Sequence, residues 1–190
     1  MDNQRELFVK WMKYLFYIQV ATGVMRLLPA VLDLGAIVLW TNRMLSIAVV
    51  VVLFKMAPLD ERYKKAAIFA CVGLVLTILT SLTDITALVL VLAICSLICT
   101  YQEYGGHAEM IETIDAKLAR SWHSLFNWEI FSPIIVGLLG GVLVVVNVVV
   151  FPVSREVVTS ITQALISGVD LILWIVYLRY LKRTYTIYDG

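Results

Sequence analysis

The chain has 190 residues, of which 61% are apolar, with a mean hydropathy of +0.90 and a formal net charge of +1. Soluble domains carry roughly 45–50% apolar residues, so this composition excludes an ordinary soluble globule and points to a chain covered by lipid. The near-neutral balance excludes the charge pattern of a nucleic-acid binder or of an enzyme for acidic substrates.

The first apolar run covers residues 11–28 and is closed by Pro29. A helix needs about 20 such residues to cross the hydrocarbon core. No short apolar stretch ending in small residues marks a cleavable signal, so the chain is expected to be mature throughout. The second run, 34–56, is interrupted by Thr41, Asn42 and Arg43. Residues 44–56 are too few to cross alone, so the interruption is expected inside the helix, and the continuity of this span is left open. Pro58 ends it, because proline lacks the amide donor and clashes with the preceding turn.

Asp60 reads as the N-cap of a third span that becomes apolar at 66–82, and Asp84 as the cap of a fourth at 85–101. The turn between them is only a few residues long, which predicts a tight hairpin. Gly105-Gly106 should then break the helix. Over 107–128, Ile111, Ile114, Leu118, Trp122 and Leu125 recur at steps of three and four, with Glu109, Glu112, Lys117 and Arg120 mainly on the other side. That periodicity predicts one amphipathic cytoplasmic helix. Its stripe either packs on the bundle or docks a partner protein through Ile111, Leu118, Trp122 and Leu125. His107 and His123 would point to nearly opposite faces of such a helix and match no HExxH arrangement, so no metal site is expected.

Ser132-Pro133 looks like a cap followed by a first helical position, opening a fifth span at 133–151. The sixth covers 157–181. The reading is an all-α polytopic membrane protein, one integral domain over 1–190, with about six transmembrane helices plus the amphipathic one.

Orientation follows from charge. With the N-terminus inside, cytoplasmic segments hold Arg5, Lys10, Lys13, Lys55, Arg62, Lys64, Lys65, Lys117, Arg120, Arg179, Lys182 and Arg183, twelve of the 15 basic residues. The positive-inside rule then predicts a cell-membrane protein with both termini in the cytoplasm.

Asp170 falls near the middle of the sixth span, and Gln163, Ser167, Trp174 and Tyr177 share its face. An ionised carboxylate at that depth costs roughly 2.5–3.5 kcal/mol on insertion scales, so the stripe should meet protein or water. Candidate companions are Arg43, Arg26, Gln19, Asn147 and Trp174. Two readings stand: a structural Asp170–Arg43 ion pair, or a polar cavity around Asp170 that takes a small ligand. Gly137 and Gly141 form a GxxxG pair beside Gly140, suited to close helix packing or to a homodimer. Cys71, Cys95 and Cys99 all lie in apolar runs without metal-ligand spacing and are expected to pack between helices.

No GxSxG elbow, paired-aspartate motif or P-loop occurs, so no enzyme activity and no cofactor are expected. The chain reads as a non-catalytic accessory, regulatory or assembly subunit with a membrane or cytoplasmic protein partner. The alternative is a small-solute transporter or substrate-binding membrane subunit.

Overall fold

The computed structural model describes residues 2–27, 35–83, 85–149 and 155–189. Among the described residues six helices follow one another: α1 (Asp2–Leu27), α2 (Gly35–Met56), α3 (Glu61–Leu82), α4 (Thr86–Ile111), α5 (Ala116–Val149) and α6 (Arg155–Asp189). No strand occurs among the described residues. Five of the helices, α2 to α6, are long and apolar enough to cross a bilayer. The protein is therefore all-helical and of membrane type. α1, expected as a span over 11–28, is not among the five, because Lys10, Lys13 and Gln19 dilute its apolar character. Its 26 residues still give it a length of about 39 Å, more than the roughly 30 Å hydrocarbon core.

α1 begins at Asp2 rather than near Trp11. Good helix formers precede the apolar run, and Phe8 packs edge-on against Tyr188 with ring centroids 5.2 Å apart. α2 passes through Thr41, Asn42 and Arg43 without a break, since an α-helix satisfies its own backbone whatever the side chains. Asp60 caps α3 as expected: its backbone is extended and its Oδ1 accepts from the Arg62 amide at 2.6 Å. Asp84, expected to cap α4, lies outside the described residues, and Ile85 holds the N-cap position with no side-chain bond. Only residues 83–85 separate α3 from α4, so the tight hairpin stands.

The stretch 107–128 is not one amphipathic helix. α4 continues through Gly105-Gly106 to Ile111, a turn occupies 112–114, and α5 starts at Ala116. The glycines do not end the helix because both are buried in close contact with α3. Ser132-Pro133 does not open a helix either, since α5 runs through Pro133. One missing amide donor is tolerated where the rest of a membrane helix remains bonded. α5 thus absorbs the second half of the amphipathic stretch and the fifth span, reaching 34 residues or about 51 Å.

The chain divides into two compact units, Met1–His123 with Leu178–Gly190, and Ser124–Tyr177. In the first, α3 and α4 form the most extensive pairing, and α2 packs against both α1 and α3. Its fully buried side chains include Phe8, Met12, Leu53, Tyr63, Trp122 and Leu181. In the second, a Cβ on Gly140 would lie 3.1 Å from Thr162 Cγ2, whereas one on Gly137 or Gly141 would meet nothing within 4 Å among the described residues. Gly140, rather than the GxxxG pair, provides the close approach of α5 to α6 there.

Candidate functional site

The first unit holds a buried polar and aromatic cluster. Asp60 fixes the start of α3 and so places Tyr63 in its first turn. Glu103 and His107, one turn apart on α4, face it. Tyr63 Oη and His107 Nδ1 are hydrogen-bonded at 2.8 Å, and His107 Nε2 lies 3.5 Å from Glu103 Oε1. A carboxylate facing Nε2 favours the proton there, which leaves Nδ1 to accept from the tyrosine hydroxyl. Trp122 closes the other side: its ring is 4.7 Å from the imidazole, 5.2 Å from Tyr104 and 5.7 Å from Tyr180, centroid to centroid. The indole Nε1 donates to Thr184 Oγ1 at 3.1 Å. Tyr63, His107, Trp122 and Thr184 are wholly buried.

Gly105 and Gly106 make room for this cluster. A Cβ on Gly106 would lie 2.9 Å from the Tyr63 ring, and one on Gly105 would collide with the Arg62 guanidinium. That guanidinium is spent on Glu109, with Nε and Nη2 each 2.6 Å from Oε1. Asp115 caps α5 by accepting from the Leu118 amide at 2.9 Å, and its other oxygen takes Arg183 Nη2 at 2.7 Å. Arg5 donates to the Tyr188 carbonyl at 2.8 Å, and the Tyr188 hydroxyl donates to the Met110 carbonyl. Burial raises the Asp60 carboxyl above its ordinary value, with the Arg62 amide opposing and Glu109 adding to the rise. The Leu118 amide and then Arg183 hold the Asp115 carboxyl below its ordinary value.

The four residues expected to dock a partner or pack are buried: Ile111, Leu118 and Trp122 in the first unit and Leu125 in the second. Their burial fits the packing alternative. His107 and His123, expected on opposite faces of one helix, sit on α4 and α5, the first buried and the second exposed. Arg43 is half-buried with its guanidinium over the Trp40 ring, 5.2 Å from the centroid. Asp170 is exposed in the second unit, as are Gln163 and Ser167, while Trp174 is half-buried and Tyr177 buried. Arg43 and Asp170 belong to different units. The side chains of Arg26 and Asn147 lie outside the described residues. The three cysteines are free thiols, Cys95 buried and the others half-buried. Among the described residues no group of three or more His, Cys, Asp or Glu is placed to hold a metal ion.

A cavity of about 300 Å³ lies among α1, α2, α3 and α4, entirely in the first unit. Gln19, Thr22, Ser46, Thr77, Ser96 and Thr100 contribute polar groups to its wall. Of the described residues expected around a polar cavity, Gln19 alone lines this one. Sequence reading missed both the cavity and the Tyr63–His107 contact. The available signal was the polar series Cys99, Glu103 and His107, four apart along one face of α4.

No family model matches the chain, and no curated protein or solved structure matches it.

Proposed function

We propose that this protein is a non-catalytic multi-pass membrane protein that serves as an accessory, regulatory or assembly subunit. The observation that carries the reading is the exposed face of α6 formed by Gln163, Ser167 and Asp170. It lies within a helix long and apolar enough to cross the bilayer. A polar face with a carboxylate at membrane depth is costly against lipid and serves as glue between helices. The buried polar cluster supports the same reading, because Tyr63, His107, Trp122 and Thr184 are wholly buried and closed to a substrate.

Both termini are proposed to be cytoplasmic. The pairs Arg5–Tyr188, Arg62–Glu109 and Arg183–Asp115 gather the basic segments at one end of the first unit, which supports that end as the cytoplasmic one. α1 begins at this end and α2 finishes there, so α1 is proposed as a sixth crossing.

Native mass spectrometry of the protein, extracted gently from its own membrane, tests the subunit reading. Wild type should carry a stoichiometric protein companion, and Asp170→Leu should lose it without a change in unfolding midpoint. A bare monomer would overturn the reading. Two copies that separate on Gly137→Leu would replace it with a homodimer. A second reading, binding or carriage of a small solute, draws its support from the cavity among α1–α4.

A further inference from the structure

The chemistry of that cavity narrows what it would take, and the inference rests on the solute-binding reading. Each of the four helices sends into the wall a hydroxyl or thiol that has turned its proton onto a backbone carbonyl, and Gln19, Ser96 and Thr100 line the wall beside them. Thr22 Oγ1 donates to Ile18 O at 2.9 Å, Ser46 Oγ to Asn42 O at 2.9 Å, and Thr77 Oγ1 to Gly73 O at 2.8 Å. Cys99 Sγ donates to Ala66 O at 3.4 Å. A hydroxyl bonded in this way keeps its oxygen lone pairs, so it can only accept from a guest.

A single back-bonded hydroxyl is ordinary in a membrane helix. Three such hydroxyls and one thiol around one void give its wall weak acceptors, interleaved with apolar side chains such as Phe69 and Leu92. No charged side chain is among the described residues that line the cavity. An ion entering it would lose its hydration with no counter-charge from those residues in return. A purely apolar guest would leave the acceptors unmet. The volume, about 300 Å³, sits at the small end of pockets for organic ligands.

We propose that this cavity binds a small uncharged molecule that donates hydrogen bonds from a hydroxyl or amide and carries an apolar body. A dissolved solute and a neutral lipid headgroup share that chemistry.

A matched series tests it: 2-naphthalenemethanol, 2-naphthoate, 2-naphthylmethylammonium and 2-methylnaphthalene, titrated into the full chain in phosphatidylcholine nanodiscs against empty discs. The alcohol should bind at least about tenfold more tightly than the two ions and the hydrocarbon. Thr77→Val combined with Ser46→Ala should weaken it by about the same factor. Ala70→Phe, which fills the void, should abolish binding while the unfolding midpoint holds. Saturable binding of an ion, blocked by Ala70→Phe, would overturn the uncharged-donor class and leave the solute-binding reading intact. No saturable binding of any probe would overturn both. If 1-oleoylglycerol in the discs displaces the alcohol, the natural guest is a lipid; if it does not, the guest is a dissolved solute.

Discussion

Gly106 and Gly137 both lie inside helices that are apolar over most of their length, yet their surroundings give them opposite values. The Tyr63 ring leaves no space for a Cβ on Gly106, and that ring is fixed by full burial and its bond to His107. Gly106→Ala should therefore destabilise the detergent-solubilised protein by about 1–3 kcal/mol through overpacking. A Cβ on Gly137 would meet nothing within 4 Å among the described residues, so Gly137→Ala should be neutral or stabilise by about 0.5–1 kcal/mol through helix propensity. Unfolding midpoints of the two variants check the contrast, and equal effects would show that propensity rather than packing governs both sites. The same residues mark what was legible. Asp60 was readable as a cap because capping needs only its own chain neighbours. Gly105-Gly106 was misread as a break because its role depends on Arg62 and Tyr63, more than forty positions away on another helix. The Tyr63–His107 bond was hidden for the same reason: two polar residues 44 apart carry no mark of their pairing.

At the scale of elements, the turn between α4 and α5 replaces the single amphipathic helix, and Asp115 is the residue that makes it a boundary. The apolar period over 107–128 is real, since Ile111, Leu118, Trp122 and Leu125 are all buried. Two helices joined by a short turn preserve that period well enough to mimic one. The distinguishing signal was Asp115 three residues before Leu118, whose amide it accepts. Its carboxyl is held below the ordinary value by the Leu118 amide first and Arg183 after it. A carboxyl whose folded pKa is depressed contributes stability that is fully present above its unfolded pKa and lost as pH falls through the folded one. Asp60, raised by burial, has the opposite sign: what it contributes is present at low pH and lost as pH rises. Comparing wild type with Asp115→Asn cancels the Asp60 contribution, because both proteins carry it. Wild type should be the more stable near neutrality, and its advantage should shrink as pH falls from about 7 to about 3. Midpoints of both proteins across that range check the prediction. A constant gap would mean that the Asp115 charge is not what stabilises the turn.

At the scale of the whole molecule, membrane character and hairpin order were legible because apolar length is a property of the sequence itself. The number of crossings was less so, and α1 shows why. Its composition falls short of the other five helices, while its contacts tie its first residues to the end of α6 through Arg5 and Phe8. Those two facts pull in different directions, and orientation decides between them. If α1 crosses, Asn3 and Thr186 lie on the same side and Ser81, at the far end of α3, lies on the other. All three are exposed, so each can carry a reporter. Single cysteines at these positions, in a chain whose Cys71, Cys95 and Cys99 are replaced by alanine, are treated with an impermeant maleimide in right-side-out vesicles. Ser81→Cys should react at once, and Asn3→Cys and Thr186→Cys only after permeabilisation. The inverse pattern would reverse the orientation and set the basic end against the positive-inside rule. Labelling of Asn3→Cys from outside, with Thr186→Cys protected, would reduce the crossings to five. The Arg5–Tyr188 contact would then have to be absent in the bilayer, because one hydrogen bond of 2.8 Å cannot join residues on opposite sides of a roughly 30 Å core.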